Sequence, residues 1–304
     1  MNKAIEISEV SKSYGYIHAL DRVSFTVEQG ELFGLIGPDG AGKSSLYRII
    51  ATLSAPDSGT ATVNGMDVVR DYRKLRTRIG YMPEKFSLYQ DMTVAENMAF
   101  FASLFGVSAK ENYDLIAPIF SQLEKFPDRM AGALSGGMKQ KLALSCALIH
   151  RPEVLLLDEP TTGVDAVSRS EFWDMLATLR EKGITILVST SYMDEATRCE
   201  RIAMINNGRI LAVDTPSALI NRLDENLYNA VATDMFGLLS RLRSNPDVID
   251  CYTFGATLHV VGNDNFSVGQ VEAALKKSGM EDVRIYPATG NIEDLFIKQI
   301  RDGK

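Results

Sequence analysis

The chain is poor in cysteine, histidine and tryptophan, with 3 Cys, 3 His and 1 Trp among 304 residues. Cys146, Cys199 and Cys251 stand far apart and form no CxxC pair. That spacing excludes a disulfide framework and a zinc cluster, and reads as reduced thiols of a cytosolic protein. Long apolar runs are also missing. The longest candidate, Met98 to Val107, is about half of the roughly 20 residues that a membrane-spanning helix needs. The N-terminus carries Asn2, Lys3, Glu6 and Glu9 and no signal-peptide core. The expectation is therefore a chain that neither spans a membrane nor is secreted by the usual route. Positive charge is not in excess: 32 Lys and Arg stand against 39 Asp and Glu, a net charge of −7. A broad nucleic-acid groove leaves a basic imprint, so no nucleic-acid partner is expected. Internal repeats and low-complexity tracts are absent.

What is present is an ordinary globular composition, 45% hydrophobic and 23% charged, which is enough for a sizeable core. At roughly 150 residues per domain the length suggests about two domains. Alternation of apolar and polar residues predicts strands at Ala4–Val10 and Val23–Val27. The apolar run Leu32–Ile36 leads straight into a glycine loop, and Ser44–Leu53 reads as a helix. Strand and hairpin signals follow at Ser58–Val63 with Asn64-Gly65, and a short strand at Ile79–Met82. From Val94 to Ala147 helical periodicity takes over, broken by Pro118, Pro127 and Gly132. Val154–Leu157 and Ile184–Ser189 are continuous apolar runs, as parallel strands buried on both faces would be. The helical pattern Ser168–Arg180 lies between them, which predicts a parallel α/β core. After Leu223 the chain changes character to a small α+β unit, with a final helix at Ile292–Arg301.

Three motifs carry chemistry. Gly37-Pro38-Asp39-Gly40-Ala41-Gly42-Lys43-Ser44 matches G-x-x-x-x-G-K-[ST], and Ser45 follows it. Its glycines let backbone N–H groups face phosphate oxygens, and the following helix adds its positive N-terminus. Lys43 would neutralise β- and γ-phosphates, and the Ser44 hydroxyl would ligate Mg²⁺. Val154-Leu155-Leu156-Leu157-Asp158-Glu159 is a buried strand ending in two carboxylates. Asp158 can reach the hydration shell of Mg²⁺, and Glu159 can orient and deprotonate an attacking water. The third motif is Leu134-Ser135-Gly136-Gly137-Met138-Lys139-Gln140, where Ser135, Gly136 and Gly137 open a helix whose N-terminus can take an anion.

This order of motifs, completed by Thr161-Thr162-Gly163-Val164-Asp165, closely resembles the ATP-binding cassette (ABC) ATPases over about residues 1–220. The resemblance implies an α/β, P-loop NTPase cassette. It would have a parallel-sheet core, an N-terminal antiparallel β subdomain and a helical subdomain at about 88–150, together spanning 1–222. A small C-terminal α+β domain would occupy 223–304. It further implies two cassettes joined head to tail around two ATP molecules. One gives each site its phosphate loop and acidic pair, and the other gives it Ser-Gly-Gly. Tyr14 matches the family's adenine-stacking aromatic, although a tyrosine near a strand end is as often plain packing. Asp165 matches the aspartate that crosses the dimer interface. Tyr81-Met82-Pro83, Ser87-Leu88-Tyr89, Met92-Thr93-Val94 and the tail Ile292-Glu293-Asp294-Leu295-Phe296-Ile297 look most like the drug and lipid exporter branch.

Two positions depart from the family pattern. Glu84 stands where the family has a glutamine that ligates Mg²⁺ and water, and Ser191 stands where it has a histidine that contacts the γ-phosphate. Glu84 can still ligate Mg²⁺ but adds negative charge. Ser191 is shorter and uncharged. His18, His150 and His259 all read as structural or solvated. The expectation is strong ATP binding with impaired hydrolysis at the chain's own site, against the alternative that Glu159 alone suffices. The intact Ser135-Gly136-Gly137 then suggests a heterodimer, with a homodimer as the alternative. By resemblance the partners are a second cassette and polytopic membrane permease subunits, met through Lys85 to Asn97. That would place the chain peripherally on the cytoplasmic face of the membrane. The rival function is a nucleotide-gated switch on a macromolecular partner. The C-terminal domain reads as a structural or dimer-contact element, with regulation as the alternative.

Overall fold

The computed structural model describes residues 2–85, 87–108, 110–224 and 226–303. The chain divides into two compact units, 1–217 and 218–304.

The first unit begins with an antiparallel ribbon, β1 (Lys3–Tyr14) and β2 (Ile17–Glu28). Both strands run further than their alternation predicts, because repeated register shifts bend the ribbon and scramble the period of two. The chain continues through β3 (Leu32–Ile36), α1 (Lys43–Ile50), β4 (Ser58–Val63), β5 (Met66–Asp67), α2 (Tyr72–Leu75) and β6 (Ile79–Met82). The helical stretch comprises α3 (Val94–Phe105), α4 (Tyr113–Phe120) and α5 (Gly136–Leu148). Then come β7 (Val154–Leu157), α6 (Ala166–Glu181), β8 (Thr185–Thr190), β9 (Arg201–Asn206), β10 (Arg209–Asp214) and α7 (Pro216–Ile220). One sheet has the order β2-β1-β4-β5 and is antiparallel. The central sheet has the order β10-β9-β3-β8-β7-β6, parallel except for its β10 edge.

Strands β3, β7 and β8 are buried at every residue, which explains their continuous apolar runs. Ile5 and Ile7 of β1, Phe33 and Leu35 of β3, Leu46 and Ile49 of α1, and Leu156 of β7 share one core. That core fixes the glycine loop between β3 and α1 at the carboxyl end of the sheet, where ligands of open α/β sheets bind.

Within the helical stretch α3 starts on a capping box of Thr93 and Glu96 and ends at Gly106 in the left-handed region. Pro118 does not break the helical pattern as expected but lies inside α4. Proline lacks the N–H that would satisfy the carbonyl of residue 114. Lys182 Nζ donates to that Asp114 carbonyl at 2.9 Å instead.

The second unit continues through β11 (Asn226–Val231), α8 (Met235–Arg243), β12 (Val248–Phe254), β13 (Thr257–Gly262), α9 (Val268–Lys277), β14 (Arg284–Pro287) and α10 (Ile292–Asp302). Its sheet is antiparallel with order β12-β13-β11-β14. This is the ferredoxin-like βαββαβ arrangement with an added terminal helix. Leu238 and Leu242 of α8, Val271 and Leu275 of α9, and Cys251, Leu258 and Val260 of the sheet form its core. Asp294 of α10 is buried and accepts hydrogen bonds from Tyr252 Oη at 2.8 Å and lies 2.6 Å from His259 Nδ1. It also completes a capping box with Asn291. His259 is thus structural rather than solvated, one of the two readings its sequence context allows.

Candidate active site

The phosphate loop wraps a cation that is already occupied. Lys43 is buried, and its Nζ donates to the carbonyls of Gly37 at 2.5 Å and Pro38 at 2.9 Å. It also lies 2.9 Å from Glu159 Oε1. Gly42 has φ 108°, and a Cβ there would stand 2.4 Å from the Ala19 carbonyl oxygen, so only glycine lets the loop turn against β2. Ala41 is buried beneath the loop, and its carbonyl accepts from Gly208 N at 2.9 Å. This bond ties the loop to the β9–β10 turn.

An open cavity of about 530 Å³ sits over the loop. Asp39, Gly40, Gly42, Lys43, Ser44, Ser45, Glu84 and Glu159 line it, together with Ile17, His18, Ala19 and Asn207. Asp158 lies just beneath, accepting from Ser189 Oγ at 2.8 Å. Burial holds its carboxyl above the usual carboxylate range, the Ser189 and Ser44 hydroxyls pull against that shift, and the charges of Glu159 and Glu84 add to it. Burial, reinforced by the Asp158 charge, pushes the neighbouring Tyr81 phenol up to about 12.

Glu159 has φ 52°, a left-handed conformation that costs a non-glycine residue of order 1–3 kcal/mol. Its N–H donates to Ser189 Oγ at 2.9 Å, which holds the turn. Its Oε2 accepts from Ser191 N at 3.2 Å, Ser191 Oγ at 3.4 Å and Thr162 Oγ1 at 3.1 Å. Ser191 therefore reaches the acidic pair despite its short side chain.

Other residues singled out in the sequence stand apart from this cavity. Tyr14 is exposed at the β1–β2 tip, in register with Ile17. Ser135 is the exposed N-cap of α5, accepting from Met138 N at 3.4 Å. Gly136 is exposed too. A Cβ on Gly137 would meet Ser168 Oγ of α6 at 2.7 Å, so that glycine also serves close packing. Asp165 caps α6, accepting from Ser168 N at 3.0 Å. Phe86, in the segment expected to meet a membrane partner, lies outside the described residues. Four residues lining the cavity are not marked in the sequence. Ile17, Ala19 and Asn207 carry no motif, and His18 reads in sequence only as structural or solvated. The one available signal was their place beside the loop on β2 and in a tight turn.

The oxygen donors at this site suit a hard cation. Mg²⁺ is usually held by one or two carboxylates, with phosphate and water completing its shell. Ser44, Asp158 and Glu84 fit that set, and the crowding of Asp158, Glu159 and Glu84 is a charge that a cation relieves.

A profile of the ABC transporter family matches residues 20–162. The chain is 39% identical to Nod factor export ATP-binding protein I of Sinorhizobium fredii (strain NBRC 101917 / NGR234), over 97% of this chain and 85% of that protein. It is 40% identical to the probable multidrug ABC transporter ATP-binding protein YbhF of Escherichia coli (strain K12), over 90% of this chain and 47% of that protein. It spans about half the length of YbhF. Among solved structures, the ATP-binding subunit of an ABC transporter is similar, with TM-score 0.65 and 29% identity, covering 72% of this chain and 92% of that one. The dimeric post-hydrolysis state of the cassette MJ0796, bound to ADP and Pi, is similar with TM-score 0.63 and 26% identity, covering 69% and 98%. The chain belongs to the ABC transporter family, as one of its ATP-binding proteins.

Proposed function

We propose that this chain is the ATP-binding and ATP-hydrolysing subunit of an ABC exporter, and that it dimerises head to tail with a second cassette to drive polytopic membrane permease subunits. The convergence of Lys43, Ser44, Glu84 and Glu159 on one cavity at the carboxyl end of the parallel sheet carries this reading. Residues 1–222 act as the cassette and 223–304 as a structural or dimer-contact domain. The export direction comes from the similarity to proteins named for multidrug and Nod factor export.

The phosphates of ATP compete with Glu159 for the Lys43 ammonium. Once Lys43 turns to them, Glu159 Oε1 is released to take a proton from water. The water oxygen bonds to the γ-phosphorus, the bond to the bridging oxygen breaks, and ADP and phosphate leave. Ser44, Asp158 and Glu84 would hold Mg²⁺, which would supply charge neutralisation at the phosphates when bound. Tyr14 and the β2 wall receive the base and sugar. The exposed Ser135 and Gly136 complete the site of the partner cassette. With Glu84 and Ser191 in place of glutamine and histidine the site is partly degenerate, since the γ-phosphate loses an imidazole donor.

An apolar groove of about 650 Å³, between the central sheet and the helical stretch, supports the permease contact. Leu53, Ser87, Leu88, Phe101, Leu104 and Phe105 line it, with Leu53 58% and Leu104 64% exposed. It borders the 85–97 segment. Among the described residues no helix is long and apolar enough to cross a membrane. Through this permease contact the chain sits peripherally at the cytoplasmic face.

The test is Mg-ATP turnover of the purified chain, alone and titrated with a candidate partner cassette, with Lys43→Ala as the blank. Turnover above the blank that rises with partner supports the heterodimer. Saturation without partner means a homodimer, and turnover at the blank under every condition removes the hydrolytic reading.

A further inference from the structure

Two hydroxyls reach Glu159 from two different loops. Thr162 belongs to the turn between β7 and α6, and Ser191 follows β8. Both address the same carboxylate oxygen, Oε2, at 3.1 Å and 3.4 Å, while the other oxygen faces Lys43. Glu159 is only 5% exposed, so these contacts form in a region where water competes weakly. The two oxygens therefore have separate duties: one is tied to the loops, and the other to a cation that ATP draws away.

We propose that Thr162 and Ser191 form a hydroxyl clamp that positions Glu159 for proton abstraction, in a loop that carries no histidine. The inference rests on the hydrolytic reading above and deepens it by naming what orients the base. A free glutamate side chain has three rotatable bonds and keeps considerable rotamer entropy. Once Lys43 leaves for the phosphates, no other described residue holds Oε1 of the carboxylate. The clamp on Oε2, with the Ser191 N–H, then keeps Oε1 aimed into the cavity. Misplacing a reacting group by about 1 Å costs of order 100-fold in rate. Thr162 and Ser191 act through Glu159 and are positioning residues. The strained backbone of Glu159 supports the same conclusion: a left-handed turn held by Ser189 delivers the side chain to a place where two hydroxyls already wait.

The experiment compares kcat, KM and the Kd of a fluorescent ATP analogue for the full chain, Thr162→Val, Thr162→Ser, Ser191→Ala and Thr162→Val/Ser191→Ala. Glu159→Gln is the blank, and thermal melts confirm folding. Valine keeps the shape of threonine without its donor. Thr162→Val is expected to lower kcat about tenfold, the size of one hydrogen bond to a charged group, with KM and Kd within about twofold. Thr162→Ser should return kcat to near wild type, and the double variant should fall below either single one. Unchanged kcat in a folded Thr162→Val, a Thr162→Ser as slow as Thr162→Val, or a matching rise in KM would each overturn the clamp while leaving hydrolysis by Glu159 intact. Wild-type turnover no higher than Glu159→Gln would instead remove the hydrolytic reading, and the clamp with it.

Discussion

Among the described residues, two acid–base side-chain pairs have both partners buried, Lys43–Glu159 and His259–Asp294, and they differ in what surrounds them. Lys43 and Glu159 meet at 2.9 Å beside an open cavity, on a glycine loop and a left-handed turn. His259 and Asp294 meet at 2.6 Å between the sheet and terminal helix of the second unit. There Tyr252 and the Asn291 capping box complete the polar contacts of Asp294. Phe254 stacks on the His259 ring, with centroids 4.0 Å apart. Burying an ion pair rarely repays its desolvation by itself. At the second pair the Asp294 carboxylate is met by Tyr252 Oη, His259 Nδ1 and the Asn291 N–H, and neither His259 nor Asp294 has left-handed backbone. The first pair adds backbone strain and faces open space. A buried charge that costs energy and borders a cavity is placed for chemistry, whereas one closed into a satisfied network is placed for stability.

The largest effect separates the two pairs outright. Glu159→Gln should lower kcat by about 10²–10⁴-fold, the usual share of a general base, with little change in melting temperature. Steady-state turnover beside a thermal melt reads both. Asp294→Ala should do the reverse. Removing the acid takes its partner from the buried His259 ring and undoes a helix cap, at a cost of about 3 kcal/mol, while KM for ATP stays as it is. Chemical denaturation of the full chain, followed by probes in each unit, checks this. A large loss of turnover in a folded Asp294→Ala would mean that the two pairs are not separate in role.

Gly42→Ala sharpens the comparison inside the first pair. The substitution needs a φ of 108° that L-residues avoid and drives a Cβ to 2.4 Å from the Ala19 carbonyl. The loop must shift, and Lys43 with it. ATP affinity should fall about tenfold or more, from a strain of order 1–3 kcal/mol, as measured by titration with a fluorescent nucleotide. The His259–Asp294 unit should melt unchanged.

These contrasts also explain what the sequence reveals and what it hides. Gly42, Lys43, Ser44 and Asp158 are legible as neighbours because motifs of fixed spacing follow the carboxyl ends of β3 and β7. The parallel core is legible because β3, β7 and β8 bury both faces and so read as unbroken apolar runs. Thr162 is not legible as a partner of Glu159, since a threonine in a turn satisfies many needs and only the fold aims its hydroxyl. Ile17, His18 and Ala19 stay hidden because they belong to a strand shifted by bulges, where alternation no longer reports which face is turned to the cavity. Pro118 misleads for a related reason. The helix survives because Lys182, 64 residues later in the chain, donates to the carbonyl that proline leaves free, and local propensity contains no trace of that contact.

The smallest expected effect bears on the loop without a histidine. Ser191→His would add an imidazole donor near the γ-phosphate, and such donors are commonly worth 10²–10³-fold in kcat. The gain here should be smaller, about tenfold. The same substitution removes the Ser191 hydroxyl from Glu159 Oε2 and leaves Thr162 and the Ser191-position N–H to hold it. Combining Ser191→His with Thr162→Val separates the two contributions in a double-mutant cycle of kcat. If histidine gains tenfold on the wild-type background and less on Thr162→Val, the donor and the clamp act on one carboxylate–water–phosphate line. Equal gains on both backgrounds would make them independent. A histidine variant no faster than wild type would mean that the loop is already complete with serine, and the degenerate reading of this site would fall.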